Sequence, residues 1–355
     1  MVRWHSTSDF SAKGKSQSCG RIQCHIIIAL DFGPQAVANG QMSDFSAAPH
    51  QSPTGATLAV RHILATGSAR GVVQVNHGLA EHAARYQRFT RFLAAHGYHV
   101  YVHDHRGHGA TRTPDSIPGA FATKDGASKV IADVAAIHAL IHERHPGVPV
   151  ITFGHSMGGL VALNFAEAHP EASAALAVWN SNFNAGLAGR AGQIALRLEA
   201  FFKGSDTPSA ILPKLTFQAW ANAMPDSRTD FDWLSRDSVE VDLYVIDPLS
   251  GWDATVSMWQ DVFRLIYAGG RAENLAKLPR HLPVHLIGGA EDPATDNGAA
   301  ITWLAEQMTK AGLTDVTSQI LAETRHETLN DINRDRSMAD FLAWLDSRFD
   351  EPSPA

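Results

Sequence analysis

A serine with glycine two residues to either side, Gly154-His155-Ser156-Met157-Gly158, is the clearest pointer to chemistry in this chain. A serine hydroxyl attacks an acyl carbon only when a base removes its proton. Glycines at those two positions let a chain turn sharply out of a strand into a helix and present the hydroxyl. The apolar run Val148–Phe153 and the following Met157–Ala168 read as that strand and that helix. Ser156 would then stand at a helix N-terminus, where free N–H groups and the dipole favour a developing oxyanion. Sites of this design carry their partners later in the chain, in the order nucleophile, acid, base. His326, in Arg325-His326-Glu327-Thr328-Leu329-Asn330, follows the last strand and is the candidate base. Glu291 and Asp292, in Gly289-Ala290-Glu291-Asp292-Pro293, follow the strand before it and are the two candidate acids. His77-Gly78-Leu79 follows an early strand, so the backbone N–H groups of Leu79 and Met157 are the expected oxyanion donors.

Histidine is abundant, and His103-Asp104-His105-Arg106-Gly107-His108 superficially resembles the His-x-His-x-Asp-His run of dinuclear metallohydrolases. Gly107 stands where the aspartate ligand belongs, which leaves too few ligands, so no metal is expected. The two cysteines, Cys19 and Cys24, are likewise too few for a structural zinc site and exclude a disulfide scaffold.

Elements must bring these scattered residues together. Thr57–Leu64, Val72–Asn76 and His99–His103 read as strands, with a helix over Arg85–His96 and another over about 127–144. Ala174–Trp179, Val284–Ile287 and Val316–Leu321 are further strands, with helices over Ala299–Ala311 and Asp331–Arg348. Alternation of strand and helix predicts a mostly parallel sheet with helices on both faces. It breaks over about 181–262, an aromatic-rich helical stretch whose position places it over the carboxyl ends of the strands as a cap. The expected organisation is a poorly ordered N-terminal extension over 1–50, a core over 51–180 and 263–350, and a cap over 181–262.

Hydrophobic residues make up 45% of the chain and charged ones 18%, enough to bury a sizeable core. A net charge of −7 gives no electrostatic reason for a nucleic-acid partner. Lys13, Lys15, Arg21 and the apolar run Ile26–Leu30 sketch a signal peptide, but that run is shorter than the roughly 7–15 residues wanted, so the expected location is cytoplasmic. Ser-Asp-Phe-Ser-Ala occurs at 8–12 and again at 43–47, just after Met42, which suggests that residues 1–41 are dispensable.

Together these stretches resemble the monoglyceride lipase and lysophospholipase family of α/β-hydrolases, bacterial members above all. The resemblance rests on His77-Gly78-Leu79-Ala80-Glu81-His82 with Arg85-Tyr86, Asp104–Gly109, Gly154–Gly159, Gly289–Asp292 and His326–Asp331. The insertion fits through Arg228–Asp237 and Asp247-Pro248-Leu249, and the likeness runs over about residues 50–349. It implies the α/β-hydrolase fold with a helical cap. It also implies a Ser156–Asp292–His326 triad, Asp292 being the fourth residue of Gly-x-x-Asp, and Leu79 and Met157 as oxyanion donors. The implied activity is hydrolysis of single-chain lipid esters, monoacylglycerols or lysophospholipids, through an acyl-enzyme and without a cofactor. Trp220, Trp233, Trp252 and Trp259 of the insertion are the candidates to line the acyl-chain site, with roughly half of the insertion's aromatics expected to form its own small core instead, and the cap is expected to touch a membrane or micelle surface transiently. The rival activities are a small-ester esterase and an aminopeptidase-like hydrolase, which the triad does not distinguish. A non-catalytic binding protein of the same fold would be expected to lack a triad member, and none is missing.

Overall fold

The computed structural model describes residues 45–225 and 227–349. The expectations placed on the first 41 residues lie outside them. Strands β1 (Ala48–Gln51), β2 (Thr57–Ile63) and β3 (Gly71–Asn76) lead into helix α1 (Gln87–Ala95) and β4 (Tyr98–His103). Helix α2 (Gly126–Arg144), β5 (Val150–His155), α3 (Met157–Ala168) and β6 (Ala175–Trp179) complete the first half. Four helices follow: α4 (Gly186–Lys203), α5 (Leu212–Leu215), α6 (Phe217–Ala223) and α7 (Ser238–Ile246). The chain then returns through α8 (Val256–Gly269), α9 (Ala272–Leu275), β7 (Val284–Gly289), α10 (Ala299–Lys310), β8 (Val316–Leu321) and α11 (Arg334–Asp346).

The eight strands form one sheet in the order β1-β2-β4-β3-β5-β6-β7-β8. β1 and β2 pair antiparallel and β2 runs antiparallel to β4, while every pair from β4 to β8 is parallel. β3 and β5–β7 are buried along their whole length, which is why they read as apolar runs rather than alternating ones. Alternate residues face opposite sides. Phe153 and Trp179 meet Phe89, Phe341 and Trp344 of α1 and α11, while Leu176 and Val178 meet α3 and α8 on the other face. The sheet and its two helical layers are those of the α/β-hydrolase fold expected from the sequence.

The elements lie within a few residues of their expected places, with two differences. β1 begins at Ala48 and Phe45 is already buried, so the ordered sheet starts before residue 51. A four-residue, mostly exposed edge strand containing Pro49 has no apolar alternation to betray it. The expected cap boundary at 262 falls inside α8, whose Val256, Met258, Trp259 and Val262 belong to the main core against α2 and α3. Helix α8 thus packs on the core as well as on α4 of the insertion, and part of the insertion's aromatic richness is core. Among the described residues no helix is long and apolar enough to cross a membrane.

Candidate active site

Ser156 occupies the turn between β5 and α3 with φ 55° and ψ −122°, a region that costs a non-glycine residue of order 1–3 kcal/mol. The surroundings hold it there. Ser156 N–H donates to the Trp179 carbonyl at 2.9 Å, and the Ser181 hydroxyl donates to the Ser156 carbonyl at 2.7 Å. The flanking glycines are a packing necessity. A Cβ on Gly154 would lie 2.1 Å from the Gly158 carbonyl oxygen, and one on Gly158 would lie 2.0 Å from that of Asn76.

The segments after the carboxyl ends of β7 and β8 converge on this turn. The Ser156 hydroxyl lies 2.9 Å from His326 Nε2 and donates to it, and His326 Nδ1–H donates to both oxygens of Asp292, each at 2.9 Å. An ionised carboxylate only accepts, so Asp292 fixes the proton on Nδ1 and leaves the Nε2 lone pair for the serine. Asp292, not its neighbour Glu291, makes this contact. Asp292 is fully buried, which by itself would raise its pKa. The adjacent His326 and hydrogen bonds from Asn180 Nδ2 (3.1 Å) and the Thr295 hydroxyl (2.9 Å) more than offset this and hold the carboxyl below its ordinary range.

The loop after β3 lies against the nucleophile, since a Cβ on Gly78 would come within 3.3 Å of Ser156 Cβ. Leu79 and Met157 both border the cavity at Ser156. As the first residue of α3, Met157 has an N–H with no acceptor inside the helix. The carbonyl of Ala80, next along the loop, accepts from Gly251 N–H and the Tyr244 hydroxyl, both at 2.9 Å, and so ties this loop to the cap.

The cavity above Ser156 has a volume of about 650 Å³. Trp220, Trp233 and Trp259 line it, with Phe217, Phe231 and Phe263 and the small residues Ala188, Gly189, Gly192 and Ala195 of α4. Trp233 covers the base, its ring centroid 5.0 Å from that of His326. The expectation for Trp252 needs correction, because it is not among the lining residues. Its indole N–H donates to the Leu249 carbonyl and its ring lies 4.9 Å from that of His108, over the loop after β4. Among the described residues neither Lys nor Arg lines the cavity, whereas Glu81, Asp296 and Glu327 do.

The histidine-rich loop is a packing unit. His77 Nδ1–H donates to the Gly78 carbonyl and Nε2 accepts His105 N–H, so the ring staples the two loops together. Burial pushes His77 and His103 down to about 4 and His108 down to about 3, which keeps these rings uncharged. Among the described residues, no group of three or more His, Cys, Asp or Glu is arranged to hold a metal.

Some residues of the site were not singled out in the sequence. Asn180, with φ 51°, bridges Asp292 and the Thr328 hydroxyl (2.7 Å), and no motif marks it. Glu81, His155 and Tyr244 border the cavity as well. The nearness of His155 to His326 and of Tyr244 to Ala80 depends on chain crossings that local spacing does not encode, whereas Glu81 meets Gly78 three residues away.

Residues 67–333 match the family model described as Serine aminopeptidase, S33. The chain is 27% identical to human monoglyceride lipase over 290 residues, which cover 79% of this chain and 86% of that protein. It is 31% identical to the monoglyceride lipase homolog of Monkeypox virus over 180 residues, covering 51% of this chain and only 56% of the viral protein. The chain thus spans little more than half the length of that relative. In three dimensions it is similar to a highly thermostable carboxyl esterase from Bacillus coagulans crystallised with glycerol. That likeness has a TM-score of 0.78 at 23% identity and covers 85% of this chain and 98% of the other.

Proposed function

The chain belongs to the serine aminopeptidase S33 family of hydrolases, and from that premise we propose that it is a carboxylic ester hydrolase for neutral single-chain lipid esters of the monoacylglycerol type. The carrying observation is the Asp292–His326–Ser156 hydrogen-bond chain at the foot of an aromatic-lined cavity of about 650 Å³. Ser156 Oγ attacks the ester carbonyl while His326 Nε2 takes its proton, and Asp292 stabilises the imidazolium without itself being protonated. The N–H groups of Leu79 and Met157 face the developing oxyanion, where each such donor is worth about 3–4 kcal/mol. Collapse of the tetrahedral intermediate breaks the bond to the alcohol, which leaves with the proton from His326. Water, deprotonated by the same imidazole, then releases the acyl group from Ser156 and restores the serine.

The lining favours an uncharged head group. A phosphate would enter a cavity lined mainly by aromatic and aliphatic residues and, among the described residues, by no Lys or Arg, so its desolvation has little to offset it. The human and viral monoglyceride lipases among its relatives agree with this choice. The test is a panel of monoolein, lysophosphatidylcholine, lysophosphatidic acid and aminoacyl amides at matched concentrations. Monoolein is expected to exceed both phospholipids at least tenfold in kcat/KM, and the amides further. A phospholipid hydrolysed as fast as monoolein, or an aminoacyl amide faster, overturns the assignment.

A further inference from the structure

Behind the oxyanion loop lies a buried charged cluster to which the steps above assign no part. We propose that Glu81 is a positioning residue for the ester chemistry, holding the oxyanion loop against Ser156 and, through His155, the backbone of the base. This rests on the proposed triad and oxyanion hole.

Glu81 Oε1 accepts Gly78 N–H at 2.6 Å and the Tyr86 hydroxyl at 2.8 Å, while Oε2 accepts from Arg85 at 2.7 Å. Gly78 is held from both sides, since a Cβ there would lie 2.7 Å from Glu81 Oε1 and 3.3 Å from Ser156 Cβ. The carboxylate thus sets the distance from the loop carrying Leu79 to the nucleophile. On its other flank, Glu81 Oε1 is 3.6 Å from His155 Nδ1, and His155 Nε2–H donates to the His326 carbonyl at 2.9 Å. Burial alone would discharge His155, but the carboxylate beside it raises its pKa, so both ring nitrogens tend to carry protons and both face acceptors. One buried carboxylate therefore touches the oxyanion loop directly and the base's main chain through one intermediary.

The plainer role for Glu81 is to neutralise Arg85. Arg85 already has a bidentate partner in Glu327, at 2.5 and 2.8 Å, and the contact with Gly78 uses the oxygen that Arg85 does not. A counter-ion alone would leave Oε1 without this task.

The test compares wild type, Glu81→Gln, Glu81→Leu and a remote core variant, Leu345→Ala, for Tm, for kcat and KM on a p-nitrophenyl ester, and for inhibition. The inhibitors are an alkyl trifluoromethyl ketone, whose adduct with Ser156 places an oxyanion in the hole, and the corresponding alcohol, which forms no adduct. Glutamine keeps an acceptor for Gly78, so Glu81→Gln is expected to lose about tenfold in kcat and Glu81→Leu about 100-fold or more, with KM changed less than twofold, set against the 10²–10³ that a whole oxyanion donor contributes. Ketone affinity is expected to fall in step with kcat and alcohol affinity to stay. Leu345→Ala is expected to lower Tm with kcat kept. If the Glu81 variants do not fold, His155→Leu and His155→Gln carry the test: leucine is expected to lose about tenfold in kcat, and glutamine, which can still donate to the His326 carbonyl, to recover most of it. A loss confined to KM or Tm, or an unchanged ratio of ketone to alcohol affinity, overturns the proposal. Activity surviving in Ser156→Ala would instead sink the triad reading on which it rests.

Discussion

Asp292 meets His326 through both oxygens while Asn180, Thr295 and the Ala294 N–H occupy its remaining positions, so neither ring nor carboxylate is free to rotate. That fixed geometry makes each side chain separately necessary. Ser156→Ala and His326→Ala are expected to fold normally and lose about 10⁴–10⁶ in kcat, the remainder being catalysis by the oxyanion hole and binding alone. Asp292→Asn is expected to turn an amide N–H₂ toward Nδ1, which must then accept and leave the ring proton on Nε2, at a cost of about 10⁴. Kinetics on p-nitrophenyl butyrate with fluorophosphonate titration checks this; Ser156→Ala retaining a tenth of the rate would refute the assignment. These residues are legible in sequence because each sits at a strand's carboxyl end in a fixed order. Asn180 is not, because its contacts are made across loops, and Glu81 and His155 stand within the motifs without any sign of what they touch. Trp252 marks the opposite failure, for residue type announces an apolar partner without saying on which wall it stands.

Parallel strands with both faces covered announce themselves as unbroken apolar runs, and the helices between them end at glycines and turns. Hence β3, β5, β6 and β7 and their helices were readable, while β1 was hidden by its exposure and the cap boundary by α8, which is aromatic because it is core. Helix α4 shows what an element adds beyond its residues. Leu187, Ile194, Leu198, Phe201 and Phe202 are 57–89% exposed and, at 100° per residue, fall within a stripe about 100° wide. The adjoining face bears the small residues that line the cavity. A helix apolar on its solvent side is suited to lie on a lipid surface, where burying one Phe contributes about 1.5–3 kcal/mol. Phe201→Glu combined with Phe202→Glu is expected to reduce co-sedimentation with phosphatidylcholine vesicles at least tenfold and slow hydrolysis of vesicle-borne monoolein. Activity on a dissolved short ester should stay within twofold. Equal binding by the variant and the wild type would show that the stripe serves some other contact.

Core and cap together are expected to define what the molecule accepts, because the core supplies the reacting groups and the two share the walls of the cavity. The cavity lies within the usual 300–1,000 Å³ range of small-molecule sites, and its aromatic and aliphatic lining continues from Trp233 over the base to Phe263 on α8. An acyl chain drawn into it leaves water carbon by carbon, at up to about 0.8 kcal/mol for each buried methylene. Binding of this kind helps the transition state only while the chain fits, so kcat/KM is expected to climb by orders of magnitude from C2 to medium or long chains and then level off. The cap sets a second limit. Its far half is pinned to the core on two sides, by Arg88–Glu240 at α1 and His82–Asp247 at the loop after β3, and by Arg236–Asp331 and Arg334–Asp237 near the base. A cavity of about 650 Å³ bounded in this way is expected to hold one chain and to leave little for a second or third. Monoolein is therefore expected to be cleaved at least 100-fold faster than triolein in matched micelles, with diolein between them. The measurement is kcat/KM for p-nitrophenyl esters from C2 to C16 beside mono-, di- and triolein. A profile flat or falling beyond C4 would mean that the cavity does not hold the acyl chain, and triolein cleaved as fast as monoolein would mean that the cap does not enclose it.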